Sequence, residues 1–475
     1  MSTEAAFALT PTPVRRSSLV FAAVFGALAL LTACVAFVPH MEFVALSAVY
    51  AGALLAYLSL RTDRQGGHLF EVVILIGVLS FLFFCVGTMY LVIVPQDLDF
   101  PSLGPYLLAA QALATLGFLC FLVGYGGFFR RTAPSPLGRL VPHSLLFYIL
   151  PALGGALGMS VQRSEVRGGQ SISASLSFLQ QFSSLFFFAW FLAWYMTWAK
   201  KLRMAIAVPM LVALSGIASL VLFFTFGGKG LAATLLVMPA IAYYEVTRKL
   251  PTKSIVAIAL VFVFVIFPMY NNFRQMDRNL DVSRRADRSI AMARTWDADK
   301  YLDATVFAFL KRIAIVTSVA AIVSDTGRWV PYRYGDTLIL APIGLLIPRF
   351  LWPDKPIVGI GREFGETFRL KSGLDRETSI APSMVGDLYW NFSVPGVVVG
   401  MWLLGMGYRW YYQRYGAGAG FDPIRKSIYF TLLPTAMSFE GNVAIALGVV
   451  VKTLVVLVVF VVLSRRLGWL DELAF

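Results

Sequence analysis

The chain has 475 residues, 58% hydrophobic and 14% charged, with a net charge of +14 and a mean hydropathy of +0.74. A soluble domain carries about a quarter charged residues, so the composition excludes an ordinary soluble enzyme and a disordered chain and points to a polytopic membrane protein. In that class a basic excess reads first as membrane orientation, not as affinity for nucleic acid.

A helix needs roughly 20 apolar residues to cross a bilayer core. After a polar tail over residues 1–17, nine stretches come close to that length: Ser18–Val38, Glu42–Leu60, Leu69–Val94, Tyr106–Phe128, Val141–Val161, Leu176–Ala199, Met204–Phe226, Leu231–Val246 and Ser254–Tyr270. Three more follow a long polar connection: Val394–Tyr412, Ser427–Phe439 and Val443–Ser464. The expected fold is therefore all-α and integral to the membrane, with about twelve transmembrane helices. Residues 18–270 hold helices one to nine, residues 394–464 hold ten to twelve, and residues 465–475 form a short tail. Leu31-Thr32-Ala33-Cys34 has the look of a lipoprotein cleavage box, but the apolar run continues past the cysteine, so it reads as part of the first span. The three cysteines all lie in apolar runs and the three histidines are far apart, so neither a disulfide framework nor a metal site is expected.

Alternate loops carry the basic residues: Arg15, Arg16, Arg61, Arg64, Arg130, Arg131, Arg139, Lys200, Lys201, Arg203, Arg248, Lys249, Lys253, Arg409, Arg414, Arg425, Lys426, Arg465 and Arg466. The positive side is cytoplasmic, which places both termini in the cytoplasm. The connection over residues 271–393 then lies on the outer side. It holds 17 basic and 14 acidic residues, and its length marks it as functional or internally structured. Tyr301–Val323 reads as an amphipathic helix on the outer surface or a core helix of a folded loop. Thr337–Trp352 contains Pro342, Pro348 and Arg349, and reads as a re-entrant segment or pocket floor, since irregular backbone at membrane depth survives only against protein or water.

Short outer loops are poor in Lys and Arg, so the exceptions carry information. Arg163 and Arg167 stand four apart and share a face if helical. Lys229 sits in Gly227-Gly228-Lys229-Gly230, where glycines allow close backbone approach and the next helix start offers free N–H groups. With Arg274 and Arg349, these residues suit a lipid phosphate or diphosphate. A guanidinium set can also stabilise a departing diphosphate.

At this point the chain resembles the Wzy-type polymerases of oligosaccharide repeat units, the O-antigen polymerase group. The resemblance rests on Gly227–Gly230 opening a span, Asn272-Phe273-Arg274, Tyr334-Gly335-Asp336-Thr337, Ile347–Pro356 with its Pro-Arg-Phe-Leu-Trp-Pro core, Ala381-Pro382-Ser383, Gly386–Phe392 and Gly396. Family members often carry arginine where this chain has Lys229, which keeps the charge but loses the bidentate fork. The resemblance implies transfer between two undecaprenyl-diphosphate-linked oligosaccharides: a hydroxyl of the incoming unit attacks the anomeric carbon of the growing chain, and undecaprenyl diphosphate leaves. It implies O-antigen, capsule or exopolysaccharide synthesis without nucleotide, metal or other cofactor. The bilayer, a Wzz-like chain-length co-polymerase and a Wzx-like flippase would be partners. Arg163, Arg167, Lys229, Arg274, Arg349 and Arg362 would bind the diphosphate. The loop has no histidine, so a general base falls to a carboxylate: Glu363, beside Arg362, or Asp336, Asp387 or Glu366.

Two other functions compete. An O-antigen-type ligase has similar topology but tends to carry a histidine in the outer loop, and residues 271–393 contain none. A lipid-linked glycan flippase is expected to show short loops and an internal inverted repeat, and neither is evident.

Overall fold

The computed structural model of the chain describes residues 40–65, 69–127, 140–168, 178–224, 229–261, 303–338, 360–371, 379–417 and 421–472, with a few single positions between them. The expected first span, most of 262–302 and most of 339–359 lie outside the described residues. In chain order the helices are α1 (Met41–Gln65), α2 (Val72–Ile93), α3 (Leu107–Gly127), α4 (Leu146–Gly168), α5 (Ser183–Trp198), α6 (Met204–Phe224), α7 (Lys229–Thr247) and α8 (Thr252–Val261). Then follow α9 (Ala308–Ile313), α10 (Val316–Asp325), α11 (Ile360–Thr367), α12 (Ser383–Tyr411), α13 (Pro423–Ala436) and α14 (Val443–Arg466). Among the described residues eight helical segments are long and apolar enough to cross a membrane. The chain is an all-α, multi-pass membrane protein.

Small residues set the closest helix contact. A Cβ on Gly405 of α12 would strike the backbone of Phe121 and Tyr125 on α3, and one on Gly124 would strike the carbonyl of Trp402. Apolar side chains gain little from leaving lipid, so helices in a bilayer associate by such close backbone packing. Tyr50 stacks on Phe118 at 4.1 Å and closes α1 onto α3.

Several elements differ from expectation. Val141 belongs to a two-stranded antiparallel ribbon, β1 (Leu140–Pro142) with β2 (Leu470–Glu472), and α4 starts only at Leu146. α13 runs from Pro423 to Ala436, earlier than Ser427–Phe439; its N-cap Asp422 accepts from the Arg425 amide at 3.1 Å. Thr305–Asp325 qualifies as a span by length and composition, although Ala314 breaks it. Val316, Val319, Ala320, Ala321 and Ile322 are all buried, so α10 is part of the core rather than a helix lying on a surface.

The largest departure is in α12. It begins at Ser383, not Val394, and it doubles back at Phe392 (φ −141°) and Ser393 (φ 57°, ψ −152°). A Cβ on Gly396 would lie 2.5 Å from the Leu388 carbonyl. Residues eight apart in a straight helix are about 12 Å apart, so the two pieces form a hairpin rather than one rod. Pro395 has no N–H for the Asn391 carbonyl, its helical acceptor four residues back. The Tyr334 amide fills that place at 3.2 Å, and the Arg333 amide bonds the Trp390 carbonyl at 3.1 Å.

The bundle has two polar ends. At one, called lower here, β1–β2 lies beside the last turn of α14. There Glu71 accepts from Tyr125 at 2.6 Å and faces Arg409 at 3.6 Å. Lys426 and Glu245 form a fully buried ion pair at 3.2 Å, and Arg425 pairs with Asp422 at 3.0 Å. Arg409, Arg425 and Lys426 read as loop charges in the sequence; in the fold they belong to this largely buried network. The other end, upper, is where α10 finishes, α12 folds back and α14 begins.

Candidate functional site

The upper end is built from three segments distant in sequence: residues 331–338, the outer arm of α12, and the turn before α14. Ser383 and Met384 donate their amides to the carbonyls of Glu440 and Phe439, at 3.0 and 3.1 Å. Asp387 is fully buried. One of its carboxylate oxygens accepts from the Val443 amide at 2.9 Å, at the free N-terminus of α14, where a negative charge is favoured. The other accepts from the Asn391 amide at 3.2 Å and lies 3.4 Å from the Thr337 hydroxyl. Asn391 in turn accepts from the Gly335 amide at 2.9 Å and donates to Thr337 at 2.8 Å. Gly335 has φ 93°, a left-handed conformation that a side chain resists. This clamp fixes the loop that carries Arg333.

Arg333 is the centre of the accessible part. Its Nε bonds Asp336 at 2.9 Å, an NH group bonds Glu363 on α11, and the guanidinium lies 5.1 Å from the centre of the Trp390 ring. Partial burial works against its charge, but the hydrogen bonds it donates to Asp336 and Glu363, and their charges, hold its pKa above the usual arginine value. Asp336 and Glu363 are each 48% exposed, so both present oxygen atoms to solvent. α11 is seated by Phe364 and Phe368, which pack on Trp390.

Of the four candidate bases, the fold thus gathers Asp336, Glu363 and Asp387 around one loop. Asp387 is sealed in the clamp, where it has no access to a substrate hydroxyl. Glu366 pairs instead with Arg362 at 3.4 Å and Lys371 at 3.3 Å. Arg362 is therefore held by its own helix neighbour, not aimed at the Arg333 cluster.

The candidate diphosphate ligands are placed by backbone. Arg163 and Arg167 fall in the last turns of α4, and Lys229 is the first residue of α7. Gly158 on α4 packs against Leu179 and Ser183 at the start of α5. α5 and α7 run in the same direction, since Trp190 donates to the Leu235 carbonyl at 3.1 Å and Trp198 meets Tyr243 at 5.2 Å. α5 runs against α13, with Phe191 on Phe430 and Tyr195 on Phe421. The start of α5 therefore lies beside the end of α13, next to the Glu440 turn that receives α12. All three positions belong to the upper end, with Arg333. Arg274 and Arg349 lie outside the described residues, as does most of Thr337–Trp352.

Arg333, Thr337 and Asn391 escaped the sequence reading as site residues. The available signal was that Tyr334–Thr337 and Gly386–Phe392 stood out as separate motif pieces; in the fold these two pieces bond each other. Arg333 gave no signal of its own, because an arginine in a long polar connection is not out of place.

Fold and site together define a multi-pass helical membrane protein with a charged cluster built over a folded-back helix at one end. Residues 159–416, more than half of the chain, match a family described as a domain of unknown function (DUF8712), and the chain belongs to that family. No curated protein and no solved structure matches it.

Proposed function

We propose that the protein is a glycosyltransferase of the Wzy type, joining undecaprenyl-diphosphate-linked repeat units at the periplasmic face of the inner membrane. The upper end is then periplasmic and both termini are cytoplasmic. The observation that carries the reading is the common placement of Arg163, Arg167 and Lys229 with the Arg333–Asp336–Glu363 cluster at one end of an apolar bundle. Cations in the short connections hold the diphosphate, and half-exposed carboxylates stand beside them.

In this reaction the acceptor hydroxyl oxygen forms a bond to the donor's anomeric carbon. The bond from that carbon to the diphosphate oxygen breaks, and its electron pair leaves with undecaprenyl diphosphate. The hydroxyl proton passes to a carboxylate, for which accessible Glu363 is placed best and Asp336 next. Positive side chains stabilise the charge that grows on the leaving group. Asp387 positions the loop and does not touch substrate. Arg274 and Arg349 extend the cationic set, and Wzz-like and Wzx-like proteins act beside the enzyme.

The test is genetic and biochemical. A deletion strain of the native host is complemented with Arg167→Ala, Arg274→Ala, Arg333→Ala or Arg349→Ala, and its surface polysaccharide is resolved on a gel. Loss of long chains with single repeat units retained is expected. Unchanged ladders in all four variants overturn the proposal, and accumulation of full-length lipid-linked polymer transfers it to a ligase.

A further inference from the structure

Exposed apolar side chains are common here, but nearly all lie on long apolar helices, where lipid accounts for them. Trp329 and Tyr334 do not. They are 81% and 75% exposed, and among the described residues no large apolar side chain is more open. Both belong to the polar connection at the upper end.

Their backbone is fixed although their rings are largely exposed. Trp329 sits in a tight turn in which the amides of Arg328, Trp329 and Val330 all bond the Asp325 carbonyl and the Gly327 amide bonds the Val330 carbonyl. Arg328 ties the turn to Tyr106 with a 3.0 Å hydrogen bond. Gly327 (φ 82°) lies under the Tyr332 ring, and Tyr332 is 6.1 Å from Tyr334. Tyr334 is held in the left-handed region, at φ 46°, by the Asn391 clamp. Trp329, on the turn whose Gly327 lies under the Tyr332 ring, and the neighbouring Tyr332–Tyr334 pair therefore put three aromatic residues on one short strip of chain, residues 329–334, which also carries Arg333 with its partners Asp336 and Glu363. Ordering a large ring in water with nothing upon it gains the fold nothing, since burial is what rewards an aromatic side chain.

We infer that this strip is a saccharide-binding platform that seats the sugar rings of the incoming acceptor beside the Arg333 carboxylates. The inference rests on the polymerase reading and adds to it the surface that receives the acceptor. A pyranose presents an apolar face of C–H groups and a rim of hydroxyls. Flat exposed rings match the face, and carboxylate and guanidinium groups match the rim in forked hydrogen bonds. The alternative occupant, the lipid headgroup layer, also takes Trp and Tyr, but two half-exposed carboxylates at the end of the strip fit hydroxyls better than an anionic surface.

The experiment has two arms. In the first, Trp329→Ala and Tyr334→Ala are placed in the deletion strain, with Met204→Ala (67% exposed on the apolar helix α6) as control. The modal chain length falls at least about threefold in the two loop variants and stays unchanged in the control. Wild-type ladders in both loop variants, with Arg333→Ala inactive, remove the platform while leaving the polymerase reading intact. In the second arm, full-length protein in lipid nanodiscs is titrated with saccharide released by mild acid from the host's lipid-linked pool. The Trp329 emission, taken as wild type minus Trp329→Phe, changes saturably. No change overturns the inference whatever the enzyme's reaction proves to be. Strong quenching of that emission by lipid brominated near the headgroup seats the ring in the membrane and overturns it also.

Discussion

Replacing Asn391 by leucine isolates the clamp under the site. Leucine keeps asparagine's branching at Cγ and is somewhat bulkier, so the change removes hydrogen bonds and leaves no cavity. The Gly335 amide, buried and bonded to the Asn391 side-chain oxygen at 2.9 Å, loses its acceptor. Thr337 loses its 2.8 Å donor but keeps a contact to Asp387, and Asp387 keeps the Val443 amide. An orphaned buried amide costs about 1–3 kcal/mol and each lost neutral hydrogen bond about 1 kcal/mol. The local stability of residues 331–338 therefore falls by about 2–4 kcal/mol, while the bundle below is untouched. Amide exchange followed by mass spectrometry in nanodiscs reads this directly. Peptides covering 331–338 should exchange about 30- to 1000-fold faster, at 1.4 kcal/mol per decade. Peptides from α3 and α14 should be unaltered. Asp336→Asn, which lies in the same loop but outside the clamp, should leave exchange near wild type. Protection of 331–338 within about threefold of wild type in Asn391→Leu would refute the argument that this side chain fixes the loop.

Three further outcomes follow from the same contacts. Gly405→Ala, whose added Cβ strikes the Phe121 carbonyl, forces α3 and α12 apart and lowers the thermal unfolding temperature in detergent, at a cost of about 1–3 kcal/mol; Gly407, two residues on in the same helix and away from the seam, has open space beside it, and Gly407→Ala melts as wild type. Lys426→Met takes from buried Glu245 its 3.2 Å partner while Arg248 stays 3.6 Å away and destabilises by up to about 3 kcal/mol, whereas Lys426→Met with Glu245→Gln recovers most of the loss; equal melting of single and double variants refutes the pairing. Arg333 has a pKa raised above the ordinary arginine value. Stability from a raised base is present in full below its unfolded pKa and lost only as pH rises through the folded one, and for an arginine both lie far above neutrality. Any pH limb of activity between about pH 5 and 10 should therefore persist in Arg333→Lys, as a rate profile would show.

The spans were legible wherever an apolar run of membrane length stood between polar loops, as in α2, α3, α6 and α14. The fold-back in α12 was not. Its cause is a pair of residues, Phe392 and Ser393, in unusual backbone conformations, and only Pro395 and Gly396 hint at it locally; the acceptors it frees are filled by amides some sixty residues away in sequence, at Arg333 and Tyr334. Charge counting found Arg163, Arg167 and Lys229 because they oppose the bias of their loops. The same counting placed Lys426 in a loop, since a rule about topology has no means of seeing that Glu245 waits across the bundle. It passed over Arg333 for the converse reason: seventeen basic residues share its connection, and only the fold selects the one that meets two carboxylates and a tryptophan.

The two polar ends differ in what their ion pairs can do. Lys426 and Glu245 are sealed from water at 1% and 0% exposure, and breaking a buried pair leaves a charge with no solvent to receive it. That pair ties α7 to α13 at the lower end, with Arg248 3.6 Å from Glu245 beside it. Asp336 and Glu363 are half exposed, and pairs of that kind contribute only about 0.2–1 kcal/mol. Arg333 can therefore leave one carboxylate for a phosphate oxygen at small cost, and the released carboxylate meets water or a hydroxyl. Trp390 beneath the guanidinium and the Asn391 clamp behind it keep the loop in place during the exchange. A cation free to change partners above a rigid seat suits the transient anion binding that the proposed polymerase reaction calls for. By the same reasoning Glu363→Gln, which weakens the resident partner without moving the loop, should tighten retention of the lipid diphosphate product while slowing turnover.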